Sequence, residues 1–279
     1  MRLVSASEIT RKVAELCMHA NYNLNDDIVS ALQQARTQEE DHRAQEVLGL
    51  LLQNADVARL EHMAICQDTG MAVVFMELGQ EVHVVDGDLE AAVNEGVRQG
   101  YQQGYLRKST AHPITRVNIG DNTPAILHLR MVSGDQIKIT VAPKGFGSEN
   151  MGGLFFLKPG DGVKRIYDVV LETVLKAGGN PCPPMIIGVG IGGTMEHCTY
   201  LAKKALLRHI GSYHSDLSIA SMEKELLDLV NQTNIGPQGF GGKTTALFVA
   251  IEISPTHIAG LPVAVNIGCH ATRHKTDYL

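Results

Sequence analysis

Cysteine is the residue type in this sequence whose chemistry is most informative. Three of the five cysteines, Cys66, Cys182 and Cys269, lie in predicted loops or at the ends of predicted strands. Cys17 and Cys198 instead lie on predicted helices, and we expect both to be packing residues. Thiolates bind iron and zinc, but cluster ligands that can be recognised from sequence usually lie close together, and these three do not. The residue types alone therefore leave open a three-cysteine metal site and three buried apolar cysteines.

Three local patterns have the spacing of cofactor motifs but lack their context. Residues 188–193 (GVGIGG) match a dinucleotide-binding turn, but no apolar strand directly follows the next helix. A glycine turn that lets this helix pack close to a strand is the favoured interpretation. Residues 242–244 (GKT) resemble the end of a phosphate loop, but Pro237 replaces its first glycine and a strand follows. His270 and His274 are four residues apart, as zinc ligands on a helix would be, but no metalloprotease glutamate accompanies them.

A mixture of helices and strands must position the candidate ligands. Ser5 and Glu8 form a possible capping box before a periodic helix. Further helices are predicted near residues 27–35, 39–53, 88–102, 163–176, 195–207 and 221–230. Strands are predicted at residues 71–76, 185–189, 246–253 and 261–267, and a β-hairpin at residues 125–142. We therefore expect an α/β mixed fold, with mixed β-sheets surrounded by helices in a single domain that covers residues 1–279.

The composition indicates a globular chain and excludes several classes of partner. Hydrophobic residues make up 44% of the 279 residues, which is enough to bury a sizeable core. A net charge of −6, few aromatic residues and no tryptophan argue against a nucleic-acid partner. The N-terminus lacks the apolar core of a signal peptide, and no run reaches the ~18–20 apolar residues of a membrane span. We expect no membrane partner and a cytoplasmic location, where an odd number of cysteines does not indicate a disulfide framework.

Several blocks together resemble one enzyme family. Residues 66–70 (CQDTG) are similar to a signature of class I fumarases and the related L-tartrate dehydratases, and residues 144–151 (KGFGSENM) are similar to a loop of the fumarase branch. The blocks at residues 180–184 (NPCPP), 188–193 (GVGIGG), 235–239 (IGPQG), 255–262 (PTHIAGLP) and 268–270 (GCH) complete the series. They occur in family order over nearly the whole chain. The chain is therefore identified as resembling the α subunit of a two-subunit class I fumarase.

This resemblance implies a cofactor and a set of site residues. It implies that Cys66, Cys182 and Cys269 hold a [4Fe–4S] cluster whose fourth iron has no protein ligand. That iron would act as a Lewis acid on the substrate hydroxyl, whereas a fourth cysteine would close the site. It also implies that Asp68 transfers a proton. The substrate-binding residues implied are Gln67, Arg107, Gly145, Gly147 and His257.

The same resemblance implies an activity and a partner chain. The activity is the interconversion of (S)-malate and fumarate plus water, with a small dicarboxylate as substrate. Single-chain class I fumarases continue into a C-terminal domain, and this sequence stops at Leu279. We therefore expect a separate β subunit that carries that second domain, a hetero-oligomer with two α chains, and no activity without the β subunit.

Other functions remain to be separated from this one. An L-tartrate dehydratase α subunit would use the same cluster on a dihydroxy acid. A non-catalytic or electron-transfer iron–sulfur protein would have a closed cluster that does not respond to substrate. A dinucleotide-dependent oxidoreductase would bind NAD or FAD.

Overall fold

The computed structural model describes residues 1–279, and the expected α/β mixed fold with mixed sheets and surrounding helices is confirmed. The helices are α1 (Ala6–Tyr22), α2 (Asp26–Gln38), α3 (His42–Glu61), α4 (Leu89–Gln103), α5 (Phe146–Glu149), α6 (Gly162–Ala177), α7 (Met195–Ala205) and α8 (Leu217–Asn231). The strands are β1 (Arg2–Ser5), β2 (Met71–Gly79), β3 (Val82–Val85), β4 (Ile126–Val132), β5 (Ile137–Lys144), β6 (Gly153–Leu157), β7 (Met185–Gly192), β8 (Ala246–Ser254), β9 (Leu261–Gly268) and β10 (Lys275–Tyr278).

The chain divides into two compact units. The first unit consists of Met1–Asn25, Asn54–Gly145 and Arg273–Leu279, and the second of Asp26–Gln53 and Phe146–Thr272. Each unit contains a four-stranded sheet. The single domain expected over residues 1–279 stays a prediction. No helix is both long enough and apolar enough to cross a membrane.

Helices α1 and α4 pack together in the first unit, beside a sheet of strand order β10–β5–β2–β4. The predicted capping box begins α1: the Glu8 backbone N–H donates to Ser5 Oγ, and the Ser5 N–H donates to Glu8 Oε2. Gly96 and Gly100 allow close contact between the helices, because a Cβ at either would lie within 2.7 Å of an α1 carbonyl oxygen. The buried core includes Cys17, which confirms its assignment to packing.

The predicted hairpin at residues 125–142 is wrong. Strands β4 and β5 both form, but β2 lies between them, parallel to β4 and antiparallel to β5. The connection at residues 133–136 crosses the end of β2, where the Gly79 N–H donates to Gln136 O at 2.9 Å. Gly79 is required there, since a Cβ would lie 2.4 Å from Gly134 O. A local alternation of polar and apolar residues predicts strands, but it does not reveal a third strand inserted from an earlier part of the chain.

The second unit is built around a sheet of strand order β6–β9–β7–β8, in which β7 is parallel to β8 and antiparallel to β9. Helix α7 packs on β7. A Cβ at Gly188 or Gly190 would lie 2.1 Å from a carbonyl oxygen of α7, so these positions accept only glycine. The close packing of helix and strand expected at residues 188–193 is therefore confirmed, but residues 188–192 belong to β7 itself and only Gly193 lies beyond the strand. Cys198 is buried in the same contact, where its Sγ donates to Gly190 O at 3.1 Å.

Candidate active site

The segment from Cys66 to Gly70 connects α3 to β2 in the first unit, and its polar groups are fixed locally. The Gly70 backbone N–H donates to Asp68 Oδ1 at 3.0 Å, which holds the carboxylate against its own loop. The Asp68 backbone N–H donates to Cys66 Sγ at 3.4 Å. Hydrogen bonds from amides stabilise thiolate sulfur and tune the potential of a metal that it binds. The loop thus presents one supported sulfur and one oriented carboxylate.

Buried side chains donate hydrogen bonds to the backbone of this loop. The Tyr101 hydroxyl donates to Thr69 O at 2.6 Å and to Gly70 O at 3.1 Å, and Asn122 Nδ2 donates to Gly70 O at 3.1 Å. Burial raises the pKa of Tyr101 far above its usual value, so the hydroxyl keeps the proton that it donates. Sequence patterns did not identify Tyr101 and Asn122 as part of the site, because they lie 31 to 52 residues from the carbonyl groups they bind.

Arg273 is a second functional feature that the sequence analysis missed. It is 3% exposed, although it lies near the end of the chain. Its Nη2 donates to Asp68 O at 2.8 Å and to Asn21 Oδ1 at 3.1 Å, and its Nε donates to the same Asn21 oxygen at 3.3 Å. Asn21 is fully buried on α1, and its Nδ2 donates to Cys17 O. The backbone of Asp68 is therefore attached to the core of the first unit.

The first unit brings together the five site residues that the sequence predicts there. A Cβ at Gly145 would lie 3.1 Å from Asp68 Oδ2, so the absence of a side chain at Gly145 leaves space for this carboxylate oxygen. Thr69 Oγ1 donates to Arg107 O at 2.8 Å, which attaches the backbone of Arg107 to the loop. The side chains of Gln67 and Arg107 are exposed. Cys66, Gln67, Asp68, Arg107 and Gly145 thus belong to one region of this unit.

The second unit brings two of the predicted cysteines together. Cys182 is exposed in the turn before β7 and has a left-handed backbone, with φ of 55°. Cys269 directly follows β9. The backbone N–H of His270 donates to Cys182 O at 3.1 Å, so the two cysteine-bearing turns are hydrogen-bonded neighbours. A Cβ at Gly147 would lie 3.8 Å from Asn180 O, which places the glycine-rich segment at residues 146–149 beside the Cys182 turn.

Glu149 ties the glycine-rich segment to the rest of the second unit. Its carboxylate pairs with the ammonium group of Lys203 on α7, and its Oε2 accepts from Asn266 Nδ2 at 3.1 Å. Asn266 lies on β9, the strand that leads to Cys269. The charge pair therefore attaches the segment to α7, and the hydrogen bond from Asn266 fixes it beside β9, the strand that leads to Cys269.

His257 has a different environment from the other predicted residues. It is exposed in the connection between β8 and β9, and its Nδ1 accepts from the Ala259 backbone N–H at 3.2 Å. The connection is anchored by Thr256, whose Oγ1 donates to Gly193 O at 2.9 Å. No hydrogen bond joins His257 to Cys182 or Cys269.

The five cysteines fall into two chemical groups. Burial raises the pKa of Cys17 to about 12 and that of Cys198 to about 11, so both are thiols at neutral pH and poor metal ligands. Cys66, Cys182 and Cys269 are partly or fully exposed and lie in loops or at a strand end, as predicted. These three have the donor chemistry that an iron–sulfur cluster needs. No group of three or more His, Cys, Asp or Glu residues is arranged to hold a single metal ion.

Comparison with known proteins identifies the family. The family described as "Fumarate hydratase (Fumerase)" matches residues 10–277. The chain is 41% identical over 272 residues to the "Putative L(+)-tartrate dehydratase subunit alpha" of Methanocaldococcus jannaschii, with 95% of each chain covered. It is 29% identical over 276 residues to the "L(+)-tartrate dehydratase subunit alpha" of Escherichia coli strain K12 and to that of Shigella sonnei, covering 98% of this chain and 91% of each relative. This chain therefore belongs to the fumarase family of hydro-lyases, which includes relatives named as tartrate dehydratase α subunits.

Proposed function

We propose that this chain is the α subunit of a hydro-lyase that removes water from a four-carbon 2-hydroxydicarboxylate. The observation that carries the proposal is the loop at residues 66–70, where a thiol and a carboxylate are held two residues apart on a buried scaffold. Elimination of water needs a group that accepts a proton from carbon and another that helps the hydroxyl to leave. The family match over residues 10–277 supports the same chemistry.

The first candidate substrate is L(+)-tartrate. The relatives that match nearly the whole chain carry this substrate in their names. Malate, with fumarate as the product, is the second candidate, because the segments at residues 144–151 and 255–262 resemble those of the fumarase branch. Both substrates have two carboxylates; malate has a hydroxyl on the carbon next to one of them, and tartrate has one next to each, so the same residues would serve either.

Asp68 is the proposed proton-transfer residue. A general base needs a fixed orientation as well as a suitable pKa. Its Oδ1 accepts from the Gly70 N–H, and its Oδ2 would lie 3.1 Å from a Cβ at Gly145. We propose that Oδ2 accepts the proton from the substrate carbon.

Five other residues are proposed to bind the substrate. The exposed guanidinium of Arg107 suits a carboxylate, because its fork of donors can form two parallel hydrogen bonds. Gly145 and Gly147 would let the backbone approach an anion closely. Gln67 and His257 are proposed from the family resemblance, and both are exposed.

The proposed cofactor is a [4Fe–4S] cluster held by Cys66, Cys182 and Cys269. Two observations fit this group: the donor set is three accessible thiols, and Cys66 Sγ accepts an amide hydrogen bond from Asp68. When bound, the cluster would supply a Lewis acid to the leaving hydroxyl through an iron that has no protein ligand.

We further propose that the chain acts as one iron–sulfur catalytic domain of a hetero-oligomer. The relatives are named as α subunits, which supports a separate β subunit. The chain alone is proposed to lack activity, and the complex to contain two α chains.

The test is to express the chain with a candidate β subunit, reconstitute the complex anaerobically with iron and sulfide, and compare kcat/KM for L-tartrate and malate. We expect dehydration of at least one, and the larger kcat/KM identifies the substrate. Fully reconstituted complex that dehydrates neither would refute the proposal. A cluster spectrum that does not respond to either acid would favour the electron-transfer alternative.

A further inference from the structure

Asn122 links the two segments of the first unit that carry the proposed base and the proposed carboxylate-binding arginine. Its side chain is fully buried. Its Oδ1 accepts from the Ser109 backbone N–H at 2.7 Å, and its Nδ2 donates to Gly70 O at 3.1 Å. The opposite orientation of the amide would place donor against donor and acceptor against acceptor, so these two partners fix its orientation. Ser109 lies two residues after Arg107, and Gly70 lies two residues after Asp68.

The backbone of Asn122 is left-handed, with φ of 64°. Asparagine and aspartate tolerate this conformation better than other side chains do, and glycine adopts it without strain. Two substitutions can therefore alter the side chain without straining the backbone. Asn122→Gly removes both hydrogen bonds, whereas Asn122→Asp keeps the acceptor for Ser109 and loses the donor to Gly70 O.

The backbone on both sides of Arg107 is attached to the interior of the first unit. Leu106, the preceding residue, is 1% exposed and belongs to the hydrophobic core. Thr69 Oγ1 donates to Arg107 O at 2.8 Å. The bond from Ser109 to Asn122 adds a third attachment beyond the arginine. An exposed guanidinium thus extends from a short stretch of fixed backbone.

On the other side of Asn122, Gly70 transmits the contact to the carboxylate of Asp68. The Gly70 N–H donates to Asp68 Oδ1 at 3.0 Å, while Gly70 O accepts from Asn122. The Tyr101 hydroxyl also donates to Gly70 O, at 3.1 Å. This carbonyl oxygen therefore keeps one donor when the side chain of Asn122 is removed, and we expect the loop to move rather than to unfold.

We infer that Asn122 is a positioning residue that sets the placement of Arg107 relative to Asp68. The inference rests on the proposed function in taking Arg107 to bind a substrate carboxylate and Asp68 to accept the proton. A substrate held by one of its carboxylates must present the carbon that loses the proton to the base. Reaction rates depend steeply on such geometry, and a misplacement of about 1 Å can cost about 10²-fold.

The kinetic test compares the two Asn122 variants in the reconstituted complex at pH 8. An ordinary aspartate, with a pKa of about 3.9, is ionised at this pH. Asn122→Gly should lower kcat/KM by about 10²-fold, with a higher KM and a lower kcat, because both segments lose their link. Asn122→Asp should keep the KM, since Ser109 retains its acceptor, and should lower kcat, since its carboxylate repels Gly70 O. Equal increases in KM for the two variants would overturn the inference.

Amide hydrogen exchange of the metal-free chain, measured by NMR, tests the contact without substrate. The Ser109 N–H should be protected in the unaltered chain and in Asn122→Asp, and should exchange faster in Asn122→Gly. Asn234→Gly is the matched control, because Asn234 is exposed in the second unit and has a similar φ of 52°. It should change neither the exchange nor the kinetics.

The inference is wrong if the Ser109 N–H exchanges equally fast in the unaltered chain and in folded Asn122→Gly. It is also wrong if the Asn122→Gly complex has the kcat and KM of the Asn234→Gly complex. The exchange result does not depend on substrate or iron. The positioning contact can therefore be absent while the proposed function stands, and an unaltered complex that dehydrates neither acid refutes that function separately.

Discussion

Arg273 provides the most demanding test of how the Asp68 loop is held. We predict that Arg273→Met destabilises the first unit strongly while leaving a side chain of similar length. The substitution removes the donors to Asn21 Oδ1 and to Asp68 O. An acceptor left unsatisfied in the interior costs about 1–3 kcal/mol. Two such acceptors amount to about 2–6 kcal/mol, and we expect about 3 kcal/mol because water can reach the partly exposed Asp68.

Urea unfolding of the metal-free chain measures this cost. Arg59→Met is the control, because the side chain of Arg59 is 60% exposed and lies 3.4 Å from Asp56. An exposed pair of this kind contributes about 0–1 kcal/mol. Arg273→Lys should fall between the two, since it keeps the charge but loses the guanidinium fork. If Arg273→Met and Arg59→Met unfold at the same urea concentration with equal slopes, the buried hydrogen bonds of Arg273 do not stabilise the first unit.

A double substitution separates the Arg273–Asn21 contact from general loss of packing. Asn21→Ala removes the acceptor that Arg273 binds twice, and Asn21 is completely buried. Once that acceptor is absent, Arg273→Met should cost less than it does in the unaltered chain. Contacting residues usually show coupling of about 0.5–3 kcal/mol. If the free-energy costs of the two substitutions are strictly additive, the side chains of Arg273 and Asn21 do not stabilise one another.

The remaining predictions concern the thiols and the site. Iodoacetamide at pH 8 should modify Cys66, Cys182 and Cys269 of the folded, metal-free chain. It should spare Cys17 and Cys198, because burial raises the pKa of Cys17 to about 12 and that of Cys198 to about 11. Mass spectrometry identifies the modified sites, and rapid labelling of Cys198 would contradict its assignment to packing. Serine at Cys66, Cys182 or Cys269 should each prevent reconstitution, whereas Cys198→Ser should retain iron; an iron assay decides, and loss of iron in Cys198→Ser would show that the ligand set is wrong. Asp68→Asn should keep the cluster spectrum and lower kcat by about 10²–10⁴-fold. Near-normal turnover would show that Asp68 does not transfer the proton. Gly145→Ala should also lower kcat, because its Cβ would lie 3.1 Å from Asp68 Oδ2, and full activity would show that this oxygen has no catalytic use.

The sequence predicted the elements of the fold better than their pairing. Helical periodicity identified Cys17 as buried on α1, and a capping box located the start of that helix. The start of α3 lies later than predicted, because Asp41 Oδ1 accepts from the Arg43 and Ala44 backbone N–H groups and starts the helix after residue 41. The hairpin prediction failed because the partner of both strands, β2, comes from more than 40 residues earlier in the chain.

For the site, as for the fold, the sequence revealed residues that lie close together in the chain and did not reveal contacts between distant residues. Residues 66–70 (CQDTG) were recognisable because they resemble a signature of the fumarase family. Arg273 was not recognisable, since a single arginine in the sequence does not show that it will be buried against Asn21, which lies 252 residues away. Gln238 was part of a recognised segment, but its bonds to Pro183 and His270 depend on three distant turns that meet only after folding.

Proton NMR of the reconstituted complex in D₂O, with L-tartrate or malate added, tests directly whether this chain is part of a hydro-lyase. We expect the signals of at least one acid to disappear as its dehydration product forms, and we expect no such conversion when the α subunit carries Cys182→Ser. A complex with full iron content that leaves both acids unchanged would contradict the claim that this chain is part of a hydro-lyase. Equal conversion by the Cys182→Ser complex would contradict the claim that this thiol holds the catalytic cluster.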